Sequence, residues 1–347
     1  MPDIHIRKTG RAGHITLDRP DALNALSYQM CLDIDAALVG WAQDPDVALV
    51  VFDAVGDKAF CAGGDIAEMY ATGMAGDFDY GRTFWADEYR MNARLFEFPR
   101  PVVSFLQGYT MGGGVGVGCH GSHRIVCESS KIAMPECGIG LVPDVGGSLI
   151  LARAPGRIGE FLGTTATRMG PADAIHAGFA DYFIPLAQWE DLKARLLETG
   201  DVSLIDGAAQ DPGPSELAEQ QADIDYHFGG ETLRDIVNSL TFSETPFTES
   251  ALKALSKPSP LAMSAAIEII HRVRGPDRIR YALEQEYRYT WRSAEQGEFL
   301  EGIRAAIIDK DRSPNWHHKS IADVSLSAVT QMLLPIRNSP LKWEDIT

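Results

Sequence analysis

Residues 107–118 read QGYTMGGGVGVG, six glycines in twelve positions directly behind the apolar run PVVSFL. Each glycine inside a helix or strand costs roughly 0.5–1 kcal/mol relative to alanine. So dense a run persists only where the backbone must enter conformations closed to other residues, or where something must come close to its N–H groups. Either role needs a rigid frame, and the flanking sequence supplies one. HITLDRP (14–20) alternates and stops at Arg19-Pro20, a strand with its turn. Residues 25–41 have helical spacing, with Leu26, Met30, Ile34, Leu38 and Trp41 near one face. VALVVFDAV (47–55) is a nearly continuous apolar strand, the kind covered on both faces. Residues 80–98 read as a helix, PVVSFLQGY, RIVCES and KIAMPE as strands, and AGFADYFIP as another strand after an intervening helix. Alternation of strands and helices through residue 185 makes the fold class α/β. From about 190 to 330 the pattern is mostly helical. The division is a core over 1–190, a helical C-terminal region over 191–335 and a tail over 336–347, with a soft acidic stretch, DGAAQDPGPSE, near the junction.

Gly116-Val117-Gly118-Cys119-His120-Gly121 matches GxGxxG, the dinucleotide fingerprint, but its context excludes that fold. The fingerprint opens a crossover helix of about ten or more residues. Here the strand RIVCES begins three residues after Gly121, which leaves no room for one. The turn belongs earlier, at residues 110–113, with a short helix starting at Gly113 or Gly114. A ligand oxygen can approach the free N–H groups of such a helix start. For the glycines alone, close helix–strand packing explains the run equally well. A second loop, FCAGGDI (60–66), has the same character: a strand, glycines, then a helix start at Asp65 or Ile66. Two such loops could each give one N–H to a single oxygen, the construction that stabilises an enolate or a tetrahedral intermediate.

Composition narrows the partners. With 48 acidic against 31 basic side chains the net charge is −17, which repels nucleic acid. Five cysteines without a CxxC pair argue against a disulfide framework or a zinc ribbon. No metal cluster is apparent. The N-terminal residues lack an apolar segment and no window is long and apolar enough to span a membrane, so the expectation is a cytoplasmic protein without membrane association.

Three blocks in order, KAFCAGGDIAEM, PVVSFLQGYTMGGGVGVG and KIAMPECGIGLVPDVGGS, resemble the crotonase (enoyl-CoA hydratase/isomerase) superfamily over about residues 5–185. The resemblance implies a ββα spiral core with an acyl-CoA site, and an oxyanion hole made by the N–H groups of Gly64 and Gly113. It implies CoA contacts near Ala62 and Asp65, with Arg19, Lys58 and Lys310 as candidates for its phosphates. It implies no separate cofactor, since CoA is part of the substrate, and the family's trimers make a homo-oligomer an expectation.

A typical hydratase of this family has a glutamate three residues beyond the oxyanion glycine; here that position is Gly116. Glu136, in AMPECGIG, holds the second carboxylate position. Glu88 interrupts the helical stripe of Trp85, Asn92, Leu95 and Phe96, where a solvated face is the bland alternative. Asp144, in LVPDVGGS, reads equally as a turn or cap residue. Together Glu88, Gly113, Glu136 and Asp144 resemble the 3-hydroxyisobutyryl-CoA hydrolase branch, as does EFLEGIRAAIIDKDRSPNW (298–316). That branch implies thioester hydrolysis of a branched 3-hydroxyacyl-CoA, as in valine catabolism. Glu136 would act as nucleophile or general base, and Asp144 and Glu88 would hold the 3-hydroxyl or orient water. Enoyl-CoA isomerase and hydratase remain rival activities, and an inactive crotonase-fold binding protein a rival of another class.

Overall fold

The computed structural model describes residues 2–343, so the last four residues of the expected tail lie outside it. Among the described residues nine strands form: β1 Ile4–Thr9, β2 Ala12–Leu17, β3 Leu49–Ala54, β4 Ala59–Cys61, β5 Val102–Phe105, β6 Tyr109–Met111, β7 His123–Val126, β8 Lys131–Ala133 and β9 Tyr182–Phe183. They make a six-stranded sheet ordered β1-β2-β3-β5-β7-β9 and a three-stranded sheet ordered β4-β6-β8. Only β1 runs antiparallel, pairing Ile4 with Leu17 and Thr9 with Ala12; every other pair is parallel. Each successive pair, β3/β4, β5/β6 and β7/β8, sends one strand to each sheet, so the chain spirals. The α/β expectation holds. β1 is an element the sequence reading passes over: its residues are half-buried or exposed, so it shows little apolar signal.

The chain divides into two compact units. The first comprises Met1–Asp65, Arg90–Ala133 and Arg168–Ala218, and the second Ile66–Tyr89, Met134–Thr167 and Glu219–Thr347. In the first, Leu49, Val51, Val103, Phe105 and Ile125 of the large sheet are completely buried, packed with Trp189, Leu192 and Leu196 of the helix Trp189–Thr199. Burying such side chains stabilises by roughly 1.5–3 kcal/mol each. The apolar continuity of β3 follows from this cover. The second unit is helical. Its long helices Pro260–Arg274 and Ile279–Gln296 pack with the short helices Gly147–Arg153 and Ile158–Thr165. Ser259 caps the first of them through the Ala262 N–H, and Pro260 sits at its first position, where a missing N–H costs nothing. No helix among the described residues is long and apolar enough to cross a membrane.

Candidate active site

In the first unit, β4 and β6 lie side by side and each ends in a glycine loop. The helix after β6 starts at Gly113, where its glycines predict, and ends at Gly118. Gly112 enters it at φ 50°, in the region closed to most side chains. At Gly114 a Cβ would stand 2.0 Å from the Cys61 carbonyl oxygen, so here the absent side chain is a packing requirement between the two loops. The run thus serves a backbone conformation at Gly112 and close packing at Gly114.

The loop after β4 is held by residues 23–26. Ala62 N–H donates to Leu23 O (3.0 Å), Leu26 N–H to Gly63 O (2.9 Å) and Asp65 N–H to Leu26 O (2.8 Å). Buried Asn24 staples this segment: its Oδ1 accepts from Arg19 N, and its Nδ2 donates to Val55 O and Ala59 O. The N–H groups of Gly64 and Gly113 make no hydrogen bond among the described residues. Two unspent donors at the ends of neighbouring strands are what an oxyanion requires. Since Ala62 and Asp65 have spent their N–H groups, only acceptors remain there for an adenine. Of the phosphate candidates, Arg19 is engaged by Asp65 at 2.9 Å and by Ala25 O, while Lys58 and Lys310 are exposed.

In the second unit the structure gathers Glu88, Glu136 and Asp144, all nearly buried. Glu136 opens the 3-10 turn Glu136–Ile139. Neither of its carboxylate oxygens has a hydrogen-bond partner among the described residues. Burial, and then the charge of Asp144, push its pKa well up. Asp144 accepts a hydrogen bond from the Tyr89 hydroxyl at 2.7 Å, and burial raises its pKa to about 7 against that bond. Glu88 Oε1 is buried and unpartnered, and burial followed by the charge of Asp144 raises its pKa too. The solvated-face reading of Glu88 thus fails: the residue points inward from Asp79–Phe96. Val145, next to Asp144, has φ 53°, a strained conformation for a β-branched residue.

Three supporting residues have no local signal in the sequence. Glu286, fully buried on Ile279–Gln296, accepts from Gly146 N (2.8 Å), Ser148 N (3.0 Å) and the Ser148 hydroxyl. It caps the helix that follows Asp144, yet burial holds its pKa at about 8. Tyr289 donates to Gly140 O (3.2 Å) at the end of the Glu136 turn. Glu298 takes the Ser259 hydroxyl and His318 N, while Ser259 N donates to Cys137 O beside Glu136. The block EFLEGIRAAIIDKDRSPNW so acquires a physical meaning: Glu298 braces the Glu136 turn, and Arg304 ties Glu301, Asp309 and Asp311 together. No described cation forms a salt bridge with Glu88, Glu136, Asp144 or Glu286.

The cysteines form no disulfide and are all buried. Burial pushes the Cys119 thiol to about 12 and Cys137 well up, which suits packing rather than attack. His120 lies edge-on to Phe96, and His123 stacks on Tyr182, both packing roles. Among the described residues no group of three or more His, Cys, Asp or Glu side chains could hold a metal ion.

The sequence pattern of the enoyl-CoA hydratase/isomerase family matches residues 12–333. The chain is 33% identical to the protein named 3-hydroxyisobutyryl-CoA hydrolase, mitochondrial, of Gallus gallus, over 98% of this chain and 91% of that one. It is 35% identical to the protein of that name from Rattus norvegicus, with the same coverage. Among solved structures, one named an enoyl-CoA hydratase from Rhodobacter sphaeroides is 56% identical with a TM-score of 0.93, over 96% of this chain and 98% of that one. Another, named a carnitinyl-CoA dehydratase from Mycobacterium thermoresistibile, is 36% identical with a TM-score of 0.95, over 99% of this chain and 100% of that one. The chain belongs to the enoyl-CoA hydratase/isomerase family, the crotonase superfamily, on the branch that includes the 3-hydroxyisobutyryl-CoA hydrolases.

Proposed function

We propose that the protein hydrolyses the thioester of a branched 3-hydroxyacyl-CoA, 3-hydroxyisobutyryl-CoA first among them, to the free hydroxy acid and CoA. The observation that carries this reading is the unpartnered Glu136 carboxylate in a cluster with Asp144, in a chain whose residue 116 is glycine. Adding water across a double bond in the manner of a two-glutamate hydratase lacks its second glutamate. The names of the relatives above 30% identity in Gallus gallus and Rattus norvegicus support the same choice.

In this reading the Gly64 and Gly113 N–H groups take the thioester oxygen and stabilise the charge that develops on it, at about 3–4 kcal/mol per donor. Glu136 is basic for a carboxylate because it is buried near another acid. That basicity serves either attack on the thioester carbon, giving a mixed anhydride, or removal of a proton from water. Asp144 and Glu88 receive the 3-hydroxyl. A substrate lacking that hydroxyl leaves a buried acceptor unpaired, which is the source of selectivity. CoA enters and leaves as part of the substrate, and no separate cofactor is required.

The test is release of free thiol from 3-hydroxyisobutyryl-CoA, with Glu136→Gln alongside and crotonyl-CoA followed for loss of its double bond. Fast thiol release that collapses in the variant, with crotonyl-CoA untouched, is the expected result. Loss of the double bond without thiol release would return the protein to the hydratase reading, which the name of the 56% identical structure favours. Hydroxylamine trapping separates the two roles of Glu136: a hydroxamate at that residue means an anhydride.

A further inference from the structure

Tyr89 follows Glu88 on the helix Asp79–Phe96 and is completely buried. Its ring lies edge-on to Tyr287, with centroids 6.1 Å apart. Its hydroxyl donates to Asp144 Oδ2 at 2.7 Å and lies 3.4 Å from Thr290 Oγ1. The shorter distance is that of a strong hydroxyl–carboxylate bond. The groups facing Asp144 are otherwise acids: Glu88 on the same helix, Glu136 on its turn and Glu286 on Ile279–Gln296. A phenol that is itself hard to ionise is therefore the one side-chain donor on this carboxylate among the described residues.

We propose that Tyr89 is a positioning residue, which fixes the rotation of the Asp144 carboxylate and favours its charged form in a setting without cations. The proposal rests on the hydrolase reading, in which Asp144 receives the substrate 3-hydroxyl. A neutral donor suits the role better than lysine or arginine. A cation would form a closed ion pair with Asp144 and compete with the incoming hydroxyl, whereas a phenol occupies one oxygen and adds no charge.

The experiment is Tyr89→Phe in the full-length protein, which removes one oxygen and keeps the ring. Two quantities are read: kcat/KM for 3-hydroxyisobutyryl-CoA against pH, and its ratio to kcat/KM for isobutyryl-CoA, which lacks the hydroxyl. The acidic limb should move to higher pH by about one unit, and the ratio should fall about tenfold, the scale of one hydrogen bond to a charged group. Asp144→Asn is run in parallel. If that variant leaves the ratio intact, Asp144 does not receive the hydroxyl and the underlying reading falls. If it abolishes the ratio while Tyr89→Phe moves neither quantity, the positioning role alone is overturned. Should Tyr89→Phe fail to fold, 3-fluorotyrosine at position 89 keeps the hydroxyl and makes it a stronger donor. The limb must then move to lower pH, and an unmoved limb overturns the proposal.

Discussion

Two buried acidic sites in the second unit are built in opposite ways. Glu160, on Ile158–Thr165, has no exposed surface, yet Arg274 grips both its oxygens at 3.0 Å, with Arg157 at 2.9 Å and His271 at 3.1 Å. These partners overcome burial and hold its pKa at about 2. Glu136, Asp144 and Glu88 are about as buried and have no cationic partner among the described residues; their pKa values rise. Burial alone therefore does not decide the charge state, and the partner set does. A structural acid is neutralised by its own protein. An acid cluster left unneutralised costs stability and retains proton affinity near neutral pH, and this separates the Glu136 group from a brace.

The sharpest way to break this contrast is Glu136→Gln, which should lower thiol release by about 10²–10⁴-fold, the usual worth of a positioned acid or base. The same change should raise stability by about 0.5–2 kcal/mol in a denaturant titration, because it removes an ionisable acid from a buried cluster of like charges. A loss of both activity and stability would place Glu136 with the braces. Arg274→Met is the mirror experiment. It removes the bidentate partner of Glu160 while two others remain, so the loss should sit near the lower end of about 3–5 kcal/mol, with kcat unchanged in what still folds.

A pH series of unfolding free energies sharpens the comparison further. Asp144 and Glu286, at about 7 and about 8, bind protons in the native state that the unfolded chain has already released above its ordinary carboxylate range. Stability must therefore fall as pH rises from about 4 to about 8. The slope is about 1.4 kcal/mol per pH unit for each proton that only the native state holds. Glu160 contributes with the opposite sign. Its stabilisation is complete above the unfolded value of 4.5 and is lost as pH drops toward about 2. Asp144→Asn should lessen the slope of the neutral limb, Glu286 sustaining the rest, and leave the acid limb alone; an unchanged slope would mean that Asp144 is not a source.

How legible these features are in the chain depends on what produces them. The glycine loops can be read because strand, glycine and helix start are consecutive: Cys61 to Asp65 and Met111 to Gly113 each lie within five residues. Glu88 can be suspected because a charge interrupts an otherwise apolar stripe. Tyr89 cannot, since a tyrosine beside that stripe looks like ordinary core, and its meaning depends on Asp144, 55 residues away. Glu286 is hidden for the same reason, because it caps a helix 140 residues earlier in the chain. β1 escapes notice through its weak apolar contrast. Local backbone chemistry leaves a local signature; a tertiary hydrogen bond does not.

The smallest expected effect concerns the thiol at the start of the first glycine loop. Cys61 ends β4, is fully buried, and its Sγ lies 3.5 Å from Gly63 O. If the first unit contributes through backbone N–H groups alone, that thiol is packing, and Cys61→Ala should cost only about 1 kcal/mol of stability, as a small core truncation does. Thiol release should stay within a few-fold of the parent, because the Ala62, Leu26 and Asp65 hydrogen bonds that shape the loop all come from main chain. The pH profile should not move, since no titrating group has been removed from the acid cluster. A collapse of activity with stability retained would make the sulfur a participant in the reaction.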